Sequence, residues 1–453
     1  MARWRLAQRA APDRAALGTL SAMSAETIGS PALGGVKPVI AAGHQAQLWH
    51  PGILAKDIAA RSVAGRLDAE PLHVVVDHDV LDEVAIELPV RRGRTLSVHR
   101  LVLAEGRGLV AACSQVPADA PEIVRRIELA AAELGDALAA DVGPLIDAFK
   151  DLPRCRHLAE QVTAALVRLK RPHVAPAAVV FSSDLSSLTA FRDMRQRILG
   201  DARRCVECYN RAGAERPEAG VAPLRIEAKH VELPLWALAP GTPRRRVFAD
   251  FSGKAPSLAL EDGVPIDAYG TILAPRALLF TAMMRAAWCD LFVHGRGGEV
   301  YDLITEQWFG DWLGTELAPM TMVSADLHMR FDAPVAAPED LVCARWRMHH
   351  LLHNIDRVLQ LNDPESARKR ILLSGMDDDR DRLRRARAFR EIHQINDALV
   401  QRHGDVVATA KQQLEATAAG VTNRDIANKR DWCFAIYPSE QLEALAGAVD
   451  SNS

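Results

Sequence analysis

The sequence predicts an α/β protein with a parallel β-sheet core. Short apolar runs at 37–43, 72–79, 177–184 and 288–295 end abruptly in glycine or in polar residues, as buried parallel strands do. Residues 53–65 have small and apolar side chains at helical spacing and stop at Gly65. The first two strands with this helix form the crossover that parallel strands require. Ligands gather at the carboxyl ends of such strands, so the polar clusters at 43–50 and 77–83 lie where function is expected.

The chain is long enough for two or three structural units. Its 453 residues exceed one ordinary domain, and 49% hydrophobic residues suffice for a core. We expect a first part of the core at 1–110, a helical insertion at 111–175, a second part of the core at 176–335, and a helical hairpin or coiled-coil domain at 336–453. Short strands are also expected at 231–238, 244–251 and 318–326, and a short strand with a closing helix at 430–445.

Two apolar stripes at helical spacing support the C-terminal prediction. The first comprises Trp346, Leu351, Leu352, Ile355, Val358 and Leu359. The second comprises Phe389, Ile392, Ile395, Leu399 and Val406. Two long helices packed against each other would bury both stripes, and the same surfaces could form a homodimer.

Charge and cysteine content indicate a soluble, cytoplasmic protein. The formal net charge is −3, which points to neither a nucleic-acid partner nor a membrane partner. Seven scattered cysteines do not suggest a disulfide framework, and the pair Cys205 and Cys208 lacks the further ligands of a zinc site. We interpret these two as idle thiols. The N-terminus lacks the apolar segment of a secretory signal, and no apolar run is long enough to span a bilayer.

The first candidate site is the loop 43–52, GHQAQLWHPG. Gly43 would let the backbone turn after the strand, and the following helix would point its N-terminus at an anion. His44 and His50 can donate hydrogen bonds to such a ligand, and Lys56 could neutralise its charge. The alternative interpretation is a strand–helix turn whose histidines only make hydrogen bonds within the protein and bind no ligand.

The second candidate site is 77–83, DHDVLDE. Crowded carboxylates after a buried strand favour a general base, with Asp77, Asp79 and Glu83 as candidates and His78 to orient them. Two carboxylates and a histidine could also hold a divalent ion, although the spacing matches no strict metal motif. A solvated acidic loop is the competing interpretation.

The third candidate site is 294–302, HGRGGEVYD. Three glycines before a helix can bring backbone N–H groups close to a ligand. The pattern matches neither of the common glycine-rich nucleotide motifs. In the alternative interpretation, Glu299 caps the start of this helix and has no role in binding a ligand.

Together these segments resemble the family of cysteine-adding enzymes of bacillithiol synthesis. GHQAQLW is similar to that family's Gly-Gln-Gln-x-Gly-Leu-Phe loop, and VVDHDVLDEV to its Glu-Asp-His-Asp-x-x-Glu stretch. VHGRGGEVYD resembles its late Gly-Gly-Pro-x-Glu-x-x-Tyr segment, and LAPRALLFTAMM the segment before it. The resemblance covers roughly 37–105 and 265–330. The chain departs from the pattern at His44, Gln47, His50 and Arg296.

The resemblance implies a Rossmann-like core related to class I nucleotidyl-transfer folds, and a ligase that joins cysteine to a glucosaminyl-malate acceptor through an amide. It makes a nucleotide such as ATP or ADP the candidate cofactor and leaves the question of a metal open. The predicted catalytic residues are His44, Asp77, His78, Asp79 and Glu83. The predicted substrate- or cofactor-binding residues are Gly43, Gln45, Gln47, His50, Lys56, Gly295, Arg296, Gly297, Gly298, Glu299 and Tyr301.

Two other functions compete with a ligase that joins an amino acid or amine to a small acceptor. The chain could bind ligands or partners on the same fold without catalysis, because a fold does not fix function. It could also be a metal-dependent hydrolase that uses the carboxylates of 77–83.

Overall fold

A computed structural model describes residues 13–266, 271–378 and 380–452 of the chain. The strands, in chain order, are β1 Val39–Gln45, β2 Glu70–Val76, β3 Glu83–Arg92, β4 Thr95–Glu105, β5 Ala178–Phe181, β6 His230–Leu238, β7 Arg245–Asp250, β8 Ser257–Leu260, β9 Ile272–Pro275, β10 Leu291–His294 and β11 Met320–Met322. The helices are α1 Arg14–Ile28, α2 Pro51–Arg66, α3 Ala120–Leu134, α4 Gly143–Phe149, α5 Leu158–Lys170, α6 Ser182–Leu185, α7 Thr189–Gly200, α8 Ala202–Ala214, α9 Ala277–Met283, α10 Gly298–Leu313, α11 Pro338–His353, α12 Ile355–Val358, α13 Pro364–Asp378, α14 Arg382–Arg402, α15 Gly404–Ala427 and α16 Ser439–Asn452.

Five strands form a parallel sheet in the order β11-β10-β1-β2-β5. By their order along the chain these strands are arranged 3-2-1-4-5 when read from the β5 edge. This arrangement is the doubly wound order, in which the direction of strand addition reverses between the first and fourth strands, here β1 and β10. The predicted Rossmann-like parallel-sheet core is therefore confirmed at the level of architecture.

The crossover helix α2 begins and ends by local chemistry. Pro51 occupies its first position, where no N–H is needed, and the His50 side chain accepts a hydrogen bond from Gly52 N at 3.1 Å. The helix continues through Gly65 to Arg66, one residue beyond the expected stop. Helix α10 ends at Leu313 and is followed by Gly314, whose φ of 63° is the left-handed conformation that terminates many helices.

The predicted insertion 111–175 is helical, and its last helix has a core role. Helix α5 precedes β5 and is buried along most of its length. It therefore supplies the crossover between the parallel strands β2 and β5. Two antiparallel units flank the core: the hairpin β3–β4 and the four-stranded sheet β8-β7-β6-β9. The strands expected at 231–238 and 244–251 are β6 and β7 of that sheet.

The C-terminal region is helical from α11 to α16, as predicted, but its stripes are only partly buried. Leu351, Ile355 and Leu399 are fully buried in one small core. Trp346 and Phe389 are 60% and 55% exposed, so placing them in a packed seam was wrong. The helix is interrupted at Asn354, which separates α11 from α12. The first apolar stripe therefore does not continue along one helix face. A single turn of 3₁₀ helix at Phe434–Ile436 replaces the strand expected near 431.

A buried ion pair holds the sheet to its helices. Lys170 Nζ of α5 donates to Asp57 Oδ2 of α2 at 2.5 Å, and His73 Nδ1 of β2 lies 3.2 Å from Asp57 Oδ1. Burial alone would raise the pKa of Asp57, but Lys170 and His73 outweigh it and hold this pKa well below its usual range. The pair fixes α2 and α5 on the same face of the sheet.

No helix in the described ranges is long and apolar enough to cross a membrane.

We expect Lys170→Met to destabilise the fold by about 3–5 kcal/mol, because the variant leaves the buried Asp57 carboxylate without its cation. Equilibrium urea unfolding at pH 7 measures the loss. Lys150→Met, at an exposed position, is the matched control and should change stability by less than about 0.5 kcal/mol. Equal midpoints for the two variants would contradict this role of the pair.

Candidate functional site

Three predicted loops leave adjacent strands at one edge of the sheet. Strand β1 pairs in parallel with β2 from Val39 to Gln45 and with β10 from Ile40 to Ala42. The carboxyl ends of β10, β1 and β2 therefore lie side by side. We call the space between the loop 46–50 after β1 and the loop 295–297 after β10 the switch-point crevice, because the strand order reverses there.

The first loop is shaped by close backbone contacts. Gly43 lies within β1 rather than at a turn, and a Cβ there would come 3.2 Å from Val74 O. A Cβ on Gly52 would come 2.8 Å from Ala325 O. His50 uses Nδ1 to accept from Gly52 N, so in its neutral form Nε2–H remains as its donor. The N-terminus of α2 is thus capped by its own chain, and a ligand is not needed there.

Lys56 connects the first loop with the third. Its Nζ donates to Gly43 O at 2.9 Å, and a Cβ on Gly295 would contact Lys56 Cδ at 3.4 Å. The side chain is buried, and this burial lowers its pKa to about 8, although the charge of Asp57 opposes the shift. Lys56 is therefore a desolvated ammonium at neutral pH between β1 and β10. These contacts place Lys56 beside both loops.

His44 is a neutral group in this environment. Burial, followed by the charge of Lys56, lowers its pKa to about 3. It can therefore offer hydrogen bonds at pH 7 but no positive charge. Gln47 is exposed, whereas Gln45 Nε2 reaches Asp79 Oδ2 of the second loop at 3.5 Å.

Asp77 is a structural carboxylate. It is fully buried and accepts from Ser182 Oγ at 2.8 Å, Ser183 N at 2.8 Å and Ser183 Oγ at 2.6 Å. These bonds join the end of β2 to the start of α6 and saturate the carboxylate. Asp77 is consequently unsuited to the catalytic base role proposed from the sequence.

The neighbouring His78 has a defined tautomer. Ser182 Oγ donates its proton to Asp77, so His78 Nδ1, which lies 2.6 Å from that oxygen, must donate to it. His78 Nε2 is then an acceptor. Burial lowers the pKa of His78 to about 4, partly opposed by Asp77 and Asp79. The ring packs edge-on against Phe280 of α9, with centroids 5.6 Å apart.

The two remaining predicted carboxylates have different surroundings. Asp79 is half-buried and pairs with Arg244 Nη1 at 2.6 Å. Glu83 lies half-buried at the start of β3 and pairs with Arg100 across the hairpin at 2.8 Å. The structure therefore brings Asp79 to the loops of the crevice, whereas Glu83 is committed to a surface ion pair.

The third loop is built around His294. Its Nε2 lies 2.9 Å from Asp302 Oδ2, and Asp302 Oδ1 lies 3.2 Å from Arg285 Nη1. Asp302 and Arg285 are both buried. A Cβ on Gly298 would fall 2.3 Å from His294 Nδ1, so only glycine allows α10 to begin beside this ring.

The other predicted residues of this loop face outward or lie outside the described part. Arg296 is exposed and lies 3.6 Å from Asp326, and Tyr301 is 41% exposed. Gly297 has open space around the Cβ position. Glu299 lies in the first turn of α10, and its side chain lies outside the described part of the structure.

Residues that sequence patterns did not reveal complete the site. Ser182 and Ser183 follow β5, a strand whose polar end was noted but not assigned to the site. Arg244, which stands just before β7, reaches Asp79 across the fold. Asp302 could have been suspected from its position eight residues after His294, but its burial with Arg285 depends on tertiary packing.

Within the described ranges, no group of three or more His, Cys, Asp and Glu side chains is placed to hold a metal ion. The carboxylates of 77–83 are instead engaged by hydroxyl groups and arginines. This arrangement gives no support to the metal-dependent hydrolase interpretation. Cys205 and Cys208 are buried free thiols, as the sequence suggested.

Comparison with known proteins returned no matching family model and no matching curated protein.

We expect Gly298→Ala to destabilise the fold by about 1–3 kcal/mol, because its Cβ would displace the His294 ring or the start of α10. Gly297→Ala, one residue earlier with nothing within 4 Å of the added atom, is the matched control and should change stability by less than about 0.5 kcal/mol. Thermal and urea unfolding of both variants measure the difference. Similar unfolding free energies would refute the close approach.

We also expect acid sensitivity from His78. Its folded pKa of about 4 lies below the ordinary 6.5, so between these values the unfolded chain binds the proton and the folded chain does not. Stability is therefore lost as the pH falls through this range. His78→Asn, which can still donate to Ser182, should reduce the slope by up to about 1.4 kcal/mol per pH unit.

Urea unfolding from pH 7 to pH 4 measures this slope, and His393→Asn at an exposed position is the control. An unchanged slope in His78→Asn would exclude the proposed protonation difference.

Proposed function

We propose that the chain is an enzyme that binds small anionic substrates in the switch-point crevice and joins the carboxylate of an amino acid to the amine of a small acceptor. The observation that carries this proposal is Lys56. Its buried ammonium group donates to a backbone carbonyl, and within the described residues no carboxylate lies at ion-pair distance from it. A buried charge without a counter-ion is costly, and a bound anion would remove that cost.

The surrounding side chains suggest distinct roles. Lys56 would hold the substrate carboxylate, while His44 and His50, both with lowered pKa, would act as neutral hydrogen-bond donors. Asp79, oriented by Arg244, is the carboxylate left to accept a proton from the attacking amine. Asp77 would position the loop rather than react.

The reaction forms one C–N bond. The amine nitrogen attacks the carboxyl carbon and loses its proton to Asp79, while the bond from that carbon to one carboxyl oxygen breaks and this oxygen departs as part of a phosphate. A bound nucleotide would supply a phosphoryl group that makes this oxygen a good leaving group. The start of α10 fits such a ligand better than α2 does, because Gly297 provides no side-chain cap and Lys56 lies beside the preceding loop.

Cysteine and a glucosaminyl-malate acceptor are the substrates we propose first. The sequence resemblance to the cysteine-adding enzymes of bacillithiol synthesis supports them, as does the parallel sheet on which the three motifs meet. We further propose that the core is related to class I nucleotidyl-transfer folds and that the C-terminal helices form a coiled coil that mediates a homodimer. The free thiols of Cys205 and Cys208 fit a reducing compartment such as the cytoplasm.

A second candidate is ligand binding without catalysis on the same fold. The engagement of Asp77 by two serines and of Glu83 by Arg100 favours it, since both carboxylates are withdrawn from chemistry. A thermal-shift screen with nucleotides, cysteine and divalent ions tests for binding, because a bound ligand raises the melting temperature of the chain. Stabilisation without any product in the assay below would favour this candidate.

The decisive assay incubates the purified chain with cysteine, ATP and glucosaminyl-malate and detects the amide product by mass spectrometry. We expect product from the wild-type chain and from Lys411→Met, an exposed control. Lys56→Met should lower kcat/KM by at least about 100-fold without loss of thermal stability, because it removes the cation that holds the substrate. Product formation by Lys56→Met at the wild-type rate would overturn the proposal.

The pH dependence gives a separate prediction. The kcat/KM of the wild-type chain should fall above pH 8, because Lys56 then loses the charge that binds the substrate. Lys56→Arg keeps its charge, so its profile should stay flat through this range. A rise of kcat/KM above pH 8 would instead indicate that neutral Lys56 acts as a base.

A further inference from the structure

The antiparallel sheet brings a cluster of cations to the second loop. Arg244, just before β7, pairs with Asp79 at 2.6 Å and lies against the indole of Trp236, with its guanidinium carbon 4.4 Å from the ring centroid. Arg276, just after β9, lies against the same indole at 4.2 Å. We call Trp236, Arg244 and Arg276 the guanidinium subsite.

Arg276 is held by hydrogen bonds from two of its guanidinium nitrogens, Nε and Nη2. Its side chain is largely buried, its Nη2 donates to Glu232 at 2.8 Å, and its Nε donates to Leu235 O at 3.3 Å. Burial lowers the pKa of Arg276, and the pairing with Glu232 only partly opposes this effect. Such a guanidinium is prepared to receive a further oxyanion.

The subsite adjoins residues of the second and third loops. Besides burial, the positive charge of Arg244 lowers the pKa of His78. The His78 ring packs on Phe280, which lies only four residues after Arg276. Burial raises the pKa of Tyr209, and the neighbouring groups of Arg276, Glu232 and Tyr301 of α10 also influence this pKa. The subsite is therefore an extension of the region proposed for catalysis.

The charge balance favours an anion of low charge. The cluster holds four guanidinium groups and three carboxylates: Arg225, Arg244, Arg246 and Arg276 face Asp79, Glu232 and Glu261. One positive charge is left over. Asp79 stands next to Arg244 and would repel a phosphoryl group of charge −2 more strongly than a singly charged carboxylate.

We propose that the guanidinium subsite binds a carboxylate of the acceptor and so selects acceptors that carry one. This inference rests on the proposed function, because it assigns a substrate group to a position beside the same reactive carboxylate. The planar guanidinium groups match the two oxygens of a carboxylate, and the indole shields them from water. A phosphoryl oxyanion shares this chemistry and is the other possible source.

Isothermal titration calorimetry with malate, without nucleotide or cysteine, tests the subsite independently of turnover. We expect saturable malate binding by the wild-type chain and by Arg245→Met, whose exposed arginine pairs with Asp262 on the same hairpin. Arg244→Met and Arg276→Met should each weaken binding by at least about tenfold. Arg276→Lys should lie between them and the wild type, because it keeps the charge but loses the planar donor pair.

Inorganic pyrophosphate is titrated as the second probe. Pyrophosphate binding without malate binding would overturn the carboxylate assignment, and binding of neither probe would overturn the subsite. Unchanged malate affinity in both methionine variants would also overturn the subsite.

Circular dichroism verifies that each variant folds. If Arg276→Met fails to fold, Arg244→Met provides the test, because Arg244 is only half-buried. A chain that binds malate through these arginines but forms no amide would refute the proposed function and leave the subsite standing.

Discussion

The parallel pairing of β1 on both of its edges is the constraint on which the site depends. Because β2 lies on one side and β10 on the other, three loops that are distant in sequence emerge together. Parallel strands end at the same edge of a sheet, so their polar ends are brought together by topology rather than by specific contacts between loops. Local chemistry, such as the His50 cap of α2 and the absence of a side chain at Gly298, then shapes individual loops.

Buried charges divide the region into parts with different tasks. Asp57 and Lys170 neutralise each other beneath the first loop, and Asp77 is saturated by hydroxyl groups at the end of β2. These groups stabilise one arrangement of the loops. Lys56 and Arg276, in contrast, have lowered pKa values and incomplete compensation. Perturbed cations of this kind cluster where a protein is prepared to bind a ligand.

Much of the core could be predicted from the sequence because its signals are local. Apolar runs ending in glycine or charge located β1, β2, β5 and β10, and helical periodicity located α2 and α10. The functional edge followed from these assignments alone. The partners of the predicted residues did not follow, because each depends on contacts across long separations. Ser182 meets Asp77 105 positions away, and Arg244 meets Asp79 165 positions away.

The errors have equally specific causes. Periodicity placed Trp346 and Phe389 in a buried seam, but both rings are exposed, and a break at Asn354 divides the first predicted helix. Clustered carboxylates at 77–83 suggested a shared chemical task. In the fold they separate, because Asp77 remains at the end of β2 while Glu83 enters a hairpin that carries it to the surface.

The pairing of β1 with β10 also bears on how the chain matures during synthesis. Val39 N donates to Asp290 Oδ2 at 2.8 Å, and these residues are 251 positions apart. At about 5–20 residues per second, a ribosome needs roughly 13–50 s to deliver the second partner after the first. Throughout that interval one edge of β1 is unsatisfied and open to mispairing, so nascent chains should depend on molecular chaperones until the late strand arrives.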